Sequence, residues 1–432
     1  MAVLLMNGRI LDPANGIDEI GDVLVVGDRI AAVETGDTRA DITKNLDEAV
    51  WEFDATDCFI MPGLIDLHVH LREPGLEYKE TIATGAMAAA RGGVTTICAM
   101  PNTSPSTDNP ERVKLVVDKA KAEALVHVLP VGAVTIGQMG KEMTDIAGMA
   151  KAGICAISED GKSVMDSGIY RKAMKEAKKA GVLVMAHCED INLVEGGVIN
   201  AGAKCEEFGV KGITNAVEDI ITARDIMLAQ ETGVQLHLCH CSTKDSVRMI
   251  KEAKALGLPV TGEVCPHRFI LADSDMDTAN SNFKMNPPLR SKEDVEALKE
   301  GLRDGIMDCI STDHAPHSAE EKARPMDKAP FGIVGLETSV PLTYTYLVEN
   351  GYLTPLQMAE KMSYNPAKVL GIDKGTLGVG KAADITVINP KEAFKIDPNE
   401  FASKGKNTPF GGYEVRGRVK LTMVDGQIVF ND

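Results

Sequence analysis

The chain has 432 residues, and 63 Asp and Glu against 46 Lys and Arg leave a formal net charge of −17. Phosphate backbones are gripped by clustered Lys and Arg, so a chain this acidic is not a general nucleic-acid binder. Apolar residues make up 44% and charged residues 25%, the balance of a folded globular protein rather than a disordered one. No apolar run approaches the roughly 18 residues of a membrane helix, and the N-terminus lacks the basic region and cleavage site of a secretory signal. A cytoplasmic protein with no membrane partner is expected.

Up to about residue 60 the chain reads as short strands joined by tight turns, such as Asp22-Val-Leu-Val-Val-Gly and Arg29-Ile-Ala-Ala-Val around Gly27-Asp28. The end of the chain reads the same way, with Asp384-Ile-Thr-Val-Ile and an Asp425-Gly426 turn between Val419 and Phe430. Each terminal piece is marginal for a core of its own. Residues 1–58 and 369–432 are therefore expected to pair into one small β-sandwich domain.

Residues 59–368 change period. Eight apolar runs, Leu64 to His70, Val94 to Met100, Val126 to Val134, Ile154 to Ser158, Val182 to His187, Val234 to His240, Val260 to Cys265 and Met307 to Thr312, alternate with amphipathic stretches such as Pro110–Ala124 and Lys244–Leu256. Eight strands alternating with helices predict an α/β fold, a (β/α)8 TIM-type barrel. An open doubly wound sheet fits less well, because no GxGxxG follows the first strand. Nine cysteines form no CxxC pair, and several lie inside the apolar runs, as buried thiols of a reducing compartment do.

In such a barrel the chemistry belongs at the C-terminal ends of the strands. His68 and His70 close the first run, two apart and so on one strand face. His187 closes the fifth. The sixth offers His237 and His240, three apart and expected on opposite faces; His240, nearer the end, is the candidate, His237 is expected to be a packing or outer-face residue, and the two flanking cysteines are expected to be core or surface thiols that point away from a metal on His240. Asp160 follows the fourth run and Asp313 the eighth. Singly, each has an ordinary structural reading, as a turn former, a helix cap or a satisfied core histidine. As a set of four His and two Asp at five strand ends they suit two divalent metals clamped by a carboxylate. Arg72, Asn102, Asn286 and His317 fall at the same rim, and an Arg fork with neutral donors is a cradle for a ligand carboxylate.

These residues sit in strings that together resemble the class I (bacterial-type) dihydroorotases of the amidohydrolase superfamily. The strings are Pro62-Gly-Leu-Ile-Asp-Leu-His-Val-His-Leu-Arg-Glu-Pro-Gly, Met100-Pro-Asn-Thr, Glu159-Asp-Gly, Ala186-His-Cys-Glu-Asp, His240-Cys-Ser-Thr, Asn286-Pro-Pro-Leu-Arg, Asp313-His-Ala-Pro-His, Ala329-Pro-Phe-Gly and Gly378-Val-Gly-Lys-Ala-Ala-Asp. The resemblance implies a cyclic-amide hydrolase that interconverts dihydroorotate and N-carbamoyl-L-aspartate in pyrimidine biosynthesis, with two Zn2+ per chain. It implies His68 and His70 on the first zinc, His187 and His240 on the second, and Asp160 bridging where many relatives use a carboxylated lysine. Asp313 resembles the ligand that is also general acid and base. Arg72, Asn102 and His317 resemble the substrate-carboxylate contacts, and Asn286 with the backbone of Phe331 and Gly332 the ring contacts. The resemblance also implies a homodimer and a possible association with aspartate transcarbamoylase. Two departures stand out, Arg268 where a second His is frequent and Cys241 where an aliphatic residue is usual. An allantoinase- or dihydropyrimidinase-like hydrolase and a non-catalytic dihydroorotase-like subunit are the rival readings; Asp160 and Arg72 argue against the first, the full ligand set against the second. The polar segment Ser318 to Phe331, directly after the eighth run, is expected to act as a mobile lid.

Overall fold

The computed structural model describes residues 2–36, 42–44, 46, 49–277 and 280–432. Residues 1, 37–41, 45, 47 and 48 of the expected N-terminal β-piece lie outside the described residues. Eight parallel strands follow one another around a barrel: β1 (Leu64–Val69), β2 (Val94–Ala99), β3 (His127–Ala133), β4 (Ala156–Ser158), β5 (Leu183–Ala186), β6 (Leu236–Leu238), β7 (Val260–Val264) and β8 (Cys309–Ile310). Their order in the sheet is their order in the chain. Between β8 and β1 the ring closes just beyond the strand ends, where Val69 bridges His314 and the His70 N–H donates to the His314 carbonyl at 2.9 Å.

Most of these strands are buried on both faces, which is why they read as unbroken apolar runs. Ile65, Leu67, Cys98, Val131, Ala156, Met185 and Cys309 come from six strands and Cys239 follows β6, yet they pack into one cluster, the barrel lumen. Helices between strands are started and stopped by local chemistry. Asp166 caps Ser167–Ala180 by accepting from the N–H of Gly168 and Ile169, and Gly181 ends it at φ 70°. Ser291 and Asp294 form a capping box on Lys292–Arg303.

Both termini build the second sheet, in the order Gln427–Asn431, Glu414–Val424, Ile385–Lys395, Phe59–Pro62, Ala2–Asp12, Ile17–Val26, Arg29–Thr35, with Val50–Asp54 parallel to Ala2–Asp12. Its core holds Val3, Leu5, Val23, Ile60, Ile385 and Leu421. Phe59–Pro62, which opens the segment read as barrel, pairs antiparallel with Ile385–Lys395 and parallel with Ala2–Asp12. Only Gly63 separates it from β1. A Cβ there would stand 2.3 Å from Thr95 Oγ1, so the crossing from one sheet to the other requires glycine. All nine cysteines are free thiols. Among the described residues no helix is long and apolar enough to cross a membrane.

Candidate metal centre and substrate cavity

The ladders are shorter than the apolar runs, so the polar residues that end the runs lie on the rim just past the strands. His68 is the exception, inside β1 and fully buried. Here β1 carries one extra residue between Asp66 and Val69 against Ile97 to Ala99 of β2. A bulge of this kind re-aims side chains beside a functional site. Arg72, His240 and Asp313 all have left-handed backbones, at φ 61°, 36° and 51°. Such conformations cost non-glycine residues free energy and cluster where function demands a direction.

Asp160 is the hub. Its Oδ1 lies 3.0 Å from His68 Nε2 and 3.8 Å from both His187 Nδ1 and His240 Nε2, while its Oδ2 lies 3.6 Å from His70 Nε2. One short carboxylate thus turns one oxygen to His68 and the His187–His240 pair and the other to His70. Asp313 Oδ1 is 3.2 Å from His70 Nε2 and 3.7 Å from His68 Nε2. Burial opposes the charge of Asp160, but the charge of His68 and the close imidazole nitrogens of His240 and His68 outweigh it, and its carboxyl titrates well below the usual range. Asp313 is lowered in the same way, with the His70 hydrogen bond overcoming burial. Both aspartates are ionised at neutral pH.

The expected opposite faces for the sixth strand need correction. His237 is the packing residue of the two readings and is fully buried on the inner side: its Nε2 is 3.0 Å from Glu263 Oε2, and Glu263 Oε1 stands 3.3 Å from His68 Nδ1. Cys239 groups with His68 and Glu263 rather than pointing away. The parity rule fails because His240 lies past the end of β6 with a left-handed backbone, so it turns inward without sharing the strand's alternation. Burial, then the charge of Glu263, pushes the Cys239 thiol up to about 12, which keeps it protonated. Cys241 packs in the apolar layer outside the lumen, against Gly262.

The chemistry of the donor set fits divalent metals. Neither ring nitrogen of His68 makes a directed hydrogen bond, although carboxylates stand 3.0 and 3.3 Å away. His187 Nδ1 and His240 Nε2 face each other at 2.9 Å. Buried imidazole nitrogens and carboxylate oxygens converging without mutual satisfaction are what a metal site presents. The outer partners fit too, since Asn102 Oδ1 accepts from His70 Nδ1 at 2.8 Å, and Glu189 Oε2 accepts from His187 Nε2 at 3.1 Å.

Above the cluster opens a cavity of about 180 Å³ lined by His70, Arg72, Asn102, Asp160, His187, His240, Asn286, Asp313, His317, Phe331 and Gly332, with Gly161 and Ala315. Of the twelve candidate site residues, His68 alone does not line it. Arg72 Nε donates to the Pro316 carbonyl at 3.1 Å. Among the described residues no carboxylate reaches ion-pair distance of its buried guanidinium. His317 stands between cations: Lys79 Nζ donates to its Nδ1 at 3.2 Å, and its Nε2 donates to the Phe331 carbonyl at 2.8 Å. Burial first, then Arg72 and Lys79, holds its pKa at about 2, so the ring is neutral. Three acids and bases here escaped the sequence reading: Glu189, Glu263 and Lys79. Glu263 had a usable signal, a lone acid inside the run Val260-Thr-Gly-Glu-Val.

A family model described as "Dihydro-orotase-like" matches residues 58–246, and one described as "Amidohydrolase family" matches residues 267–430. The chain is 48% identical to a dihydroorotase of Pelotomaculum thermopropionicum over 100% of this chain and 99% of that one. It is 46% identical to a dihydroorotase of Geobacter metallireducens over 100% of both. Among solved structures it is similar to an L-hydantoinase (dihydropyrimidinase) from Arthrobacter aurescens, with TM-score 0.86 and 27% identity over 99% of this chain and 96% of that one. A D-hydantoinase (dihydropyrimidinase) from Thermus sp. is similar at TM-score 0.84 and 27% identity, over 100% of this chain and 95% of that one.

Proposed function

The chain belongs to the dihydroorotase family, and from that premise we propose that it interconverts dihydroorotate and N-carbamoyl-L-aspartate by opening and closing a cyclic amide. The observation that carries the reading is the buried, carboxylate-free Arg72 on the wall of the metal-ligand cavity. A guanidinium fork held there calls for a substrate with its own carboxylate, which hydantoin and dihydrouracil lack and dihydroorotate has.

His68, His70 and Asp313 would hold one metal and His187 and His240 the other, with Asp160 bridging; the N/O donor set suits zinc. When bound, such a pair polarises an amide carbonyl and lowers the pKa of water toward neutrality. Arg72 takes the substrate carboxylate, assisted by His317 and the second N–H of Asn102, whose first donates to Asp160 Oδ2 at 3.0 Å, and this fixes the ring across the cavity. Asn286 and the Phe331–Gly332 backbone hold the ring's own amide edge. Asp313, ionised and on the cavity wall, accepts the proton of the attacking water and delivers it to the ring nitrogen as the C–N bond breaks. In the closing direction the same carboxylate takes that proton from the carbamoyl nitrogen. His317, held neutral, cannot act as the acid.

Zinc-loaded protein offered dihydroorotate, hydantoin and allantoin side by side tests the reading. Dihydroorotate should be turned over at least tenfold faster, in kcat/KM, than either competitor; faster hydantoin turnover would make the chain a hydantoinase. A homodimer and an association with aspartate transcarbamoylase complete the proposal, and sedimentation with and without the transcarbamoylase tests both.

A further inference from the structure

We propose that Glu189 is a positioning residue that couples the metal centre to ring recognition: one carboxylate oxygen orients His187, and the other turns the Asn286 amide so that its carbonyl oxygen faces the cavity. The inference rests on the reading of Asn286 as a ring contact. Glu189 is buried beside β5, two residues after His187. Its Oε2 lies 3.1 Å from His187 Nε2, and its Oε1 accepts from Asn286 Nδ2 at 2.9 Å.

An ionised carboxylate only accepts hydrogen bonds. On His187 it therefore selects the tautomer with the proton on Nε2, leaving the lone pair on Nδ1, the nitrogen 2.9 Å from His240 and 3.8 Å from Asp160. On Asn286 it settles an orientation that an isolated amide leaves open. The NH2 end must face Glu189, and Oδ1 is left as the free group at the cavity. The site thus presents an acceptor, complementary to a ring N–H. The reversed amide would present a donor, complementary to a ring carbonyl. Discrimination between an unsubstituted cyclic ureide and one substituted at that nitrogen is set by a carboxylate that touches only the amide's far end.

The test uses zinc-loaded full-length protein, with orotate as the planar ring probe. Calorimetry gives its Kd, and dialysis against a chelator gives metal retention. Asn286→Ala removes the acceptor and should weaken orotate about tenfold, the worth of one hydrogen bond, with metal retention unchanged. Glu189→Gln has one acceptor for two donors, so it should weaken orotate similarly and lose metal about 10- to 100-fold more readily. In the double variant Glu189→Gln/Asn286→Asp, the glutamine accepts from His187 and donates to the new carboxylate, whose other oxygen faces the ring. Orotate affinity and metal retention should both recover to within about threefold of the parent. A double variant no better than Glu189→Gln overturns the coupling. Unchanged orotate affinity in Asn286→Ala overturns the underlying assignment of Asn286 instead, so the two failures are told apart.

Discussion

Lys322 and Lys284 hold each other's loops: Lys322 Nζ donates to the Lys284 carbonyl at 3.3 Å, and Lys284 Nζ donates to the Met326 carbonyl at 2.7 Å. Lys322 also reaches the carbonyls of Pro330 and Gly332, both at 3.1 Å, and Lys284 lies over the Phe331 ring at 4.5 Å. The segment after β8 and the loop that leads to Asn286 are therefore one clasped unit over the cavity mouth.

This clasp bears on the expected lid. Amides of residues 318–331 should exchange more slowly with orotate bound than without it, because the segment must open to admit substrate and close to exclude water. Lys322→Met removes the donor that ties three carbonyls together; those of Lys284 and Gly332 keep a second donor in the Gly332 N–H and Asn407 Nδ2, and that of Pro330 is left bare. The variant should raise KM for dihydroorotate about tenfold while metal content stays at the parent level. Equal exchange in the free and bound states would show a fixed wall.

On the proposed reading Asp160 is the bridge in place of a modified lysine, so activity should be independent of bicarbonate. Metal-stripped protein given zinc in bicarbonate-free buffer should recover fully, and Asp160→Ala should retain little metal by elemental analysis. Recovery that requires added bicarbonate would assign the bridge to a lysine.

Asp313→Asn should keep most of its metal, since the amide oxygen can still ligate, but lose activity about 10²- to 10⁴-fold. Ring opening and ring closure should fall together, because one group moves the proton both ways. Measuring both rates and metal content on the one variant checks this. Near-normal turnover with intact metal would remove Asp313 from the proton path.

His317 gives a pH signature. Its folded pKa of about 2 lies below the roughly 6.5 of an unfolded chain. Between these values the unfolded chain takes up a proton that the folded chain refuses, so stability is complete above about 6.5 and is lost as the pH falls below it. At pH 5 the loss is about 2 kcal/mol. His317→Gln lacks this contribution, and between pH 7.5 and 5 its Tm should drop about 2 °C less than the parent's. Equal drops would mean that His317 can be protonated in the folded protein.

The site was largely legible from short strings because its residues end strands, and strand ends are marked by a switch from apolar runs to His, Asp and Asn. What stayed hidden depended on backbone departures that no alternation pattern carries. The left-handed turn at His240 broke the parity that set His237 and Cys239 on the face away from the site. Glu189 was visible inside a motif string, yet its partner Asn286 arrives from a distant loop, so its role needed the tertiary structure. Phe59–Pro62 read as the approach to the barrel because it is apolar and continuous with β1. Its membership of the other sheet is decided by Ile385–Lys395, far along the chain.

That late partner has a consequence for biosynthesis. Phe59–Pro62 emerges with Ala2–Asp12 already available on one side, but its other side is paired only by Ile385–Lys395. At roughly 5–20 residues per second of synthesis, the strand leading into His68 and His70 spends on the order of tens of seconds with an open apolar edge, the kind that recruits other chains. Nascent chains that stall before Ile385 keep that edge, so premature termination should yield insoluble or degraded fragments rather than partly active enzyme.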